Sequence, residues 1–526
     1  MKKILLVGLL FLVSAGKVDA QWLFGVSESN WIGTNALYLN PALIADNREK
    51  FSVDIFSLNV VANNNLGTFG SVSDLVNRAF SGQSGNSVQN LFKYTATGNF
   101  SLLAPYVEVR GPGMLINIKQ KHVLALTTRV RAINQFNHFN KTIYQIIADS
   151  VNVPANTLYP VTSKNFNWTA QMWDEIAMTY STILLDQGRN RVQVGITGRY
   201  LGGIGYISFK GNNVDVYYNA KNDSISAVNT DFEYSSNLLN TRNAFTEGLN
   251  QANVLKTIFQ PKNANGIGGD VGIVYEYRTN YEEKTYDMDG RTGIVDHSKN
   301  HYKFRISAAV TDLGHINYNS GTYSAYIKGN GSVTGQQVNS NANNFNSFMT
   351  YVNKKGFSAD TSVTSAKLYL PTCALFSFDY HAARRTYINL TYVANLAFRS
   401  DFGNIGYDQL TLTPRYDLRN YSFGLPLSYN ALSQDFKMGI GVRAYGFFVG
   451  SDDMLAFFAK NQYGFNFYFG GHIPINNKIP RDRDGDGVSD KKDRCPDEPG
   501  TWENHGCPES DEENGGSPDD NPVYEQ

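Results

Sequence analysis

"YKFRISAAVT", Tyr302 to Thr311, reads as a strand with two unlike sides. Successive side chains of a strand point to opposite faces. Tyr302, Phe304, Ile306, Ala308 and Val310 therefore share one face, and Lys303, Arg305, Ser307 and Thr311 share the other. The pattern returns at Val192, Val194, Ile196 and Tyr200 against Gln193, Thr197 and Arg199, and at Phe436, Met438, Ile440 and Val442 against Lys437 and Arg443. Near the end Tyr463, Phe465, Phe467 and Phe469 alternate with Gly464, Asn466, Tyr468 and Gly470. One such stretch would suit a soluble half-buried sheet equally well. The set as a whole decides: about fourteen segments, many of about ten residues or more, with aromatics gathered at their ends, as transmembrane barrel strands require.

Composition points the same way. Aromatics make up 13% of the chain, with 32 Tyr and 32 Phe, while charged residues are only 18%, against about 25% in an average soluble domain. Met1 to Ala20 has the Lys2-Lys3 start, the Ile4–Ala15 apolar stretch and the Val18-Asp19-Ala20 site of a secretory signal, a retained anchor being the alternative. None of the three cysteines lies near that site, which removes a lipid-anchored lipoprotein. After residue 20 no apolar run approaches the ~18 residues of a helical span. A backbone crossing lipid on strands must close into a barrel to satisfy its hydrogen bonds. The fold class expected is all-β, a transmembrane antiparallel barrel of about fourteen strands with helical loop insertions. Its parts would be a signal at 1–20, a base segment at 21–50, the barrel at 51–475, a small segment at 476–508 and an acidic, disordered tail at 509–526. Formal net charge is -1, which gives no sign of a nucleic-acid partner.

The connections alternate in length. Lys119-Gln120-Lys121, Asp186 to Asn190 and His381 to Arg385 are short, whereas 63–98, 138–173, 221–264 and 319–366 are long and polar. Short turns on the periplasmic side and long loops outside are the habit of outer-membrane barrels. Starting upward at Phe51-Ser52-Val53-Asp54-Ile55 puts every long loop outside and returns the chain to the periplasm near Ile475. Val72 to Phe92, Asn237 to Phe259 and Asn344 to Val352 are helix-like stretches that would cap the mouth, plug the lumen or contact another protein.

"DRDGDGVSDKKDRCPDEPG", Asp482 to Gly500, is different in kind. Asp482, Asp484, Asp486, Asp490 and Asp493 stand at positions 1, 3, 5, 9 and 12 of a loop with Gly487 at position 6, and the carbonyl of Val488 falls at position 7. That is the ligand spacing of an EF-hand calcium loop, except that Asp replaces the bidentate Glu at its end. Ca2+ is the cofactor this implies; a solvated acidic tail is the alternative.

Several stretches resemble known families. "ALYLNPALIA", with Asn40, Pro41 and Ala42, is similar to the N-terminal segment of FadL-like outer-membrane barrels. "RGPG", with Gly111, Pro112 and Gly113, and "VTDLGHINY", with Asp312, Leu313 and Gly314, resemble signatures of an uncharacterised Bacteroidota family within that superfamily, which also holds the PorV-like barrels of the type IX secretion system. The resemblance covers about residues 21–475 and implies a fourteen-stranded barrel with its N-terminal segment tucked into the periplasmic mouth. It implies either a channel for hydrophobic compounds or a subunit of a larger machine. The Gly-Pro-Gly run weakens its strand, giving an ordinary bulge or, as in FadL-like channels, a lateral exit. The aspartate stretch resembles a thrombospondin type-3 calcium repeat, and "DRCPDEPGTWENHGCP" continues the likeness, implying a Cys495–Cys507 disulfide. Such repeats join barrels to peptidoglycan-binding domains; the residues after Pro508 leave no room for one, so a wall tether is not supported.

No catalytic constellation stands out. His-Glu-x-x-His and Gly-x-Ser-x-Gly are missing, and "NGIGGDVG", Asn265 to Gly272, opens a strand with no helix after it. Cys373 reads as a small apolar filler. Lys303, Arg305, Arg199, Lys437 and Arg443 face the lumen and either pair with acids such as Asp54 and Glu108 or line an anion-preferring pore. The favoured reading is a non-enzymatic accessory subunit of an outer-membrane secretion or assembly complex, its partners being membrane lipids and other outer-membrane or periplasmic proteins. The alternative is a passive channel for hydrophobic molecules.

Overall fold

A computed structural model describes residues 22–70, 92–142, 158–219, 221, 224–237, 264–279, 284–319, 322–334, 345–362, 365–397 and 403–509. Fourteen antiparallel strands form a closed barrel. They are β1 (Glu49–Asn64), β2 (Asn99–Ile118), β3 (His122–Asn140), β4 (Leu158–Gln187), β5 (Asn190–Asn219), β6 (Ala264–Arg278) and β7 (Tyr302–Tyr318). Then come β8 (Ala366–Tyr369 with Cys373–Ala383), β9 (Thr386–Asn395), β10 (Gln409–Asp417) and β11 (Tyr421–Gly424 with Leu427–Asn430). β12 (Asp435–Met438 with Ile440–Ala444), β13 (Phe447–Ser451) and β14 (Gly464–Asn476) complete the set. Pairing of β1 with β14, from Glu49↔Asn476 to Asn63↔Gly464, joins the ends of the sheet and leaves no edge.

The alternation is obeyed across the wall. Ile196 and Tyr200 on β5, Phe376 and Phe378 on β8, and Phe436 and Val442 on β12 are exposed, while Gln193, Arg199, Lys437 and Arg443 between them are buried. Exposed apolar outside and buried polar within is a membrane barrel inside a bilayer, the reverse of a water-soluble sheet. The chain is a transmembrane β-barrel.

Four expectations need correction. β7 carries a register shift between Tyr302 and Phe304, so Tyr302 is buried in the lumen and Lys303 sits half-buried at the wall, its ammonium over the Tyr380 ring. Alternation cannot anticipate such a shift, because one extra residue swaps the faces. The described residues of 138–173 are strand but for 141–142: β4 and β5 are each 30 residues long, far beyond the ~9–11 that cross a bilayer. Their outer parts rise above the bilayer, where the outward face is polar, as at Thr162 and Lys164, while Val161 and Phe166 are buried. Strands Ser224–Ser236, Tyr323–Thr334 and Phe357–Ser362 extend this sheet at the long-loop end, with helix α1 (Phe345–Lys354) packed on it. Finally, 279–301 is a long connection on the short-turn side, containing the hairpin Thr285–Met288 and Arg291–Val295, so the long loops are not all outside. Of the helix-like stretches only α1 is seen; Val72 to Phe92 and Asn237 to Phe259 lie, but for Phe92 and Asn237, outside the described residues.

The lumen is filled from below. From Trp22 to Glu49 every residue is buried except Asn30, which is half-buried. Two short 3-10 turns, Gly33–Tyr38 and Pro41–Asp46, shape this plug. The Asn40 side chain caps the second turn by accepting from Ala42 N at 2.8 Å, and its amide donates to the Ile273 and Ala308 carbonyls of β6 and β7 at 3.2 and 3.1 Å. Pro41, with its φ fixed and no N–H to satisfy, starts that turn. Leu23, Phe24, Ile32, Leu37 and Ile44 pack against Leu115, Val123, Val274 and Leu375 of the wall. The fit at the Asn-Pro-Ala turn is close: a Cβ on Gly195 of β5 would lie 2.4 Å from the Pro41 carbonyl carbon.

Gly195→Val is expected to displace the Asn-Pro-Ala turn, lowering barrel stability by about 1–3 kcal/mol, the usual cost of overpacking. Urea unfolding in detergent checks it, together with faster proteolytic release of the N-terminal segment. Unchanged stability and protection would show that the turn does not bear on the wall.

Candidate functional site at a break in the barrel wall

The β1–β2 ladder runs from Phe51↔Ile116 to Asp54↔Gly113 and resumes at Ser57↔Arg110. Ile55 and Phe56 on one strand, Gly111 and Pro112 on the other, have no partners across this seam. The chemistry of the run explains it. Proline has no N–H to donate. Gly111 has φ +99°, and a Cβ there would come within 2.9 Å of the Ile55 carbonyl oxygen, so only glycine fits. The β2–β3 ladder shifts at the same level, between Arg110↔Arg129 and Gly113↔Thr127, and the Thr128 hydroxyl donates to Pro112 O at 2.8 Å. Outside the break lie Ile55 and Phe56, 52% and 39% exposed. Inside it lie Thr34, Asn35 and Tyr38 of the plug, around a cavity of about 10 Å³ that Phe56 also lines, room for about one water. The plug is held here by a Thr34–Asp54 hydrogen bond, by Arg110 donating to Asn35 at 3.1 Å, and by the Arg110 guanidinium 4.1 Å from the Tyr38 ring centre.

Above the plug a charged belt crosses the lumen. Asp312 stands at a register shift of β7, with φ +57°. Arg131 donates to both its oxygens at 2.7 and 2.9 Å, Arg199 at 2.6 Å and Arg129 at 3.2 Å. Glu175 takes Arg129 at 2.8 Å and Arg131 at 2.5 Å; Arg199 also binds Asp270, and Arg110 binds Glu108. Four arginines (110, 129, 131, 199) meet four acids (108, 175, 270, 312), so the belt is neutral, and every member is buried. Buried charges are tolerated only when so paired. With every guanidinium of the belt paired to a carboxylate, these residues do not present the free positive charge of an anion-preferring pore. On the belt's long-loop side Leu103, Ile133, Trp173, Leu201 and Ile316 form an apolar layer.

The other lumen cations are paired as well. Arg305 meets Glu28 of the plug at 3.0 Å and Asp379 at 3.4 Å, Lys437 meets Asp453 at 3.4 Å, and Arg443 meets Asp417 at 3.6 Å. Arg191 binds Asp46 of the plug, and Asp452 accepts from the Phe24 and Gly25 N–H groups at 3.0 and 3.1 Å. Cys373 is buried, free and beside the plug. The sequence singled out Asp312, Gly314 and Gly111–Gly113 but not Arg129, Arg131 and Glu175; two arginines spaced by one residue on a strand was the available signal. Leu313 faces outward, and Gly314, at φ +136°, lies in the same irregular run.

The aspartate loop lies beneath the barrel against the 285–295 hairpin. Carboxylate oxygens of Asp482, Asp484 and Asp486 lie within 4.8 Å of one another. Partial desolvation and the charges of Asp486 and Asp493 push the Asp484 carboxyl above its usual range. Asp490 instead pairs with Arg481 at 3.3 Å, and Asp493 accepts from Cys495 N at 2.7 Å. Val488 is buried, and Cys495 and Cys507 are joined. Three of the six expected ligands thus converge, a donor set of hard oxygens suited to calcium. Asp289 of the hairpin clasps the loop: its N–H donates to Gly487 O at 2.8 Å, it accepts from the N–H and hydroxyl of Ser489 at 2.9 Å, and it pairs with Lys492 at 2.9 Å.

The family described as "Family of unknown function (DUF5723)" matches residues 41–452. No curated protein matches the chain. Among solved structures, the toluene transporter TbuX of Ralstonia pickettii aligns with 88% of this chain and 99% of its own, at 10% identity and a TM-score of 0.38. A FadL homologue of Pseudomonas aeruginosa aligns over 88% and 99%, at 9% identity and a TM-score of 0.40.

Two outcomes follow from these contacts. Asp312→Asn leaves buried guanidiniums short of a charge and is expected to destabilise the barrel by about 3–5 kcal/mol; a loss near zero in urea unfolding would contradict the belt's role. Burial would raise the pKa of Asp289, but the Ser489 and Lys492 contacts outweigh it and hold the carboxyl below its usual range. A lowered pKa means the clasp stabilises fully above about pH 4, the unfolded aspartate value, and is lost as pH falls through the folded value. Protease release of 482–508 should therefore be slow at pH 7 and speed up as pH falls below about 4, and be fast throughout in Asp289→Ala; pH-independent release would contradict the clasp.

Proposed function

We propose that this chain, which belongs to the DUF5723 family of unknown function, is a non-enzymatic barrel that passes small hydrophobic molecules sideways into the bilayer through the β1–β2 break. One observation carries the reading: Ile55 and Phe56 have no ladder partners in β2, nor Gly111 and Pro112 in β1, with lipid-facing apolar side chains outside this gap and a separate segment of chain inside it. The neutral belt around Asp312 bars an axial route for water and ions, which a polar pore would need. The apolar layer above the belt suits an apolar solute. The plug, joined to the wall by noncovalent contacts at Thr34, Asn35 and Tyr38, is the stopper that a passing molecule displaces.

This reverses the order favoured from sequence. The accessory-subunit reading keeps its own support in the extracellular sheet built on β4 and β5, a large surface with no role in lateral passage. Native pull-down from membranes separates the two, since a subunit brings stoichiometric partners. We also propose that Ca2+ binds the Asp482–Asp484–Asp486 cluster, with Val488, Asp490 and Asp493 completing the shell on closure, and so firms the loop that Asp289 holds. Calcium is expected to protect 480–508 from protease and a chelator to remove that protection.

Thr34→Cys with Asp54→Cys would bind plug to wall at the break. Purified into vesicles, the oxidised variant is expected to admit a small hydrophobic tracer at least about tenfold more slowly than the wild-type chain, and reduction should restore the rate. Equal rates in the oxidised and reduced states, with the disulfide verified, would overturn lateral passage at this seam.

A further inference from the structure

We propose that the short-turn rim of the barrel is a binding collar for anionic phospholipid headgroups of the inner leaflet. The proposal rests on the outer-membrane reading and not on transport. Four of the tight turns carry exposed cations: Lys119 and Lys121 between β2 and β3, Arg189 between β4 and β5, Arg384 and Arg385 between β8 and β9, and Arg419 between β10 and β11. None of the six forms an ion pair among the described residues. Asp186 and Asp417, at the strand ends beside these turns, are engaged elsewhere: Asp186 with Arg191 at 2.9 Å and with Arg278, and Asp417, buried, with Arg415 at 3.8 Å. Among the described residues these six cations therefore have no paired carboxylate. The opposite end mixes its signs, as where Lys328 meets Asp231 at 3.7 Å.

Position favours a lipid over a soluble polyanion. The cations sit directly below side chains that face the bilayer: Ile118 beside Lys119, Leu184 near Arg189, Tyr380 near Arg384, and Tyr416 and Tyr421 flanking Arg419, all exposed. Tyrosines at headgroup depth with cations just beyond them match the layering of a leaflet, apolar core, interface, then phosphate. The turns are also rigid enough to hold the pattern. Arg189 O accepts from Arg278 N at 2.8 Å and Arg385 O from Asp417 N at 2.9 Å. Each cation held near an anionic surface raises affinity roughly fivefold. The collar would orient the barrel and concentrate anionic lipid around its base.

The test uses the full-length folded protein in neutral detergent, mixed with equal amounts of phosphatidylglycerol and phosphatidylcholine of the same chains, with retained lipid counted by native mass spectrometry. At low salt, retention of phosphatidylglycerol should exceed that of phosphatidylcholine at least about fivefold. In Lys119→Gln, Lys121→Gln, Arg384→Gln, Arg385→Gln the ratio should fall toward one, as it should for the wild-type chain in about 1 M salt, where screening reaches ~3 Å. Heat-modifiable migration on gels confirms that the variant barrel is folded, and its tracer flux should be unchanged, which separates this proposal from the transport reading. Equal retention of the two lipids by the wild-type chain would overturn it, as would a preference that survives the fourfold substitution. Charge-dependent binding of soluble peptidoglycan fragments without a lipid preference would also overturn it, assigning the collar to the cell wall.

Discussion

Hydrocarbon offers a peptide group no hydrogen-bond partner, and the rest of this structure follows from that constraint. A strand crossing lipid must pair on both sides, so the sheet has to close, and β14 closes it on β1. Once closed, the wall separates two solvents, and each strand must be apolar outward and self-satisfied inward. The inward side chains are long and charged, so they need partners within the lumen. Arginine and carboxylate supply them in equal number around Asp312, and the plug supplies Glu28 and Asp46 for Arg305 and Arg191. Against this background the gap in the β1–β2 ladder at Ile55–Phe56 and Gly111–Pro112 matters because it lies where the plug meets the wall.

Fold class and strand number were legible because the membrane makes alternation obligatory. Ile196 and Phe436 could only be outside, Arg199 and Lys437 only inside. The same rule failed wherever its cause was lacking. Above the bilayer the outward face of β4 meets water instead of lipid, so Thr162 and Lys164 there carry no membrane-strand signal. At Tyr302 and Asp312 register shifts exchange the faces, and no local pattern marks them in advance. The 285–295 hairpin carries charges and glycines like any loop, and its attachment to the aspartate loop through Asp289 is a contact across 200 residues of sequence.

The candidate site was half visible. Gly111-Pro112-Gly113 announced a weak strand from its own backbone chemistry, and Asn40-Pro41-Ala42 announced a rigid turn. That the segment before β1 would lie directly behind the break was not readable, because it depends on how far a plug reaches into a lumen whose depth no single residue encodes. The calcium-type spacing was plain in the sequence. Which of its aspartates converge was not, since Asp490 and Asp493 find nearer partners in Arg481 and Cys495 N.

The central claim is that the wall is open to movement at one place only along the β1–β2 seam. Hydrogen–deuterium exchange of the full chain in lipid nanodiscs addresses it most directly. Amides in the stretches 55–56 and 111 should exchange well ahead of those at 52–53, 58–60 and 107–109, which the ladder protects. Uniform slow exchange along both strands would mean that the seam is as tightly knit there as elsewhere, and the account of lateral passage would fall with it.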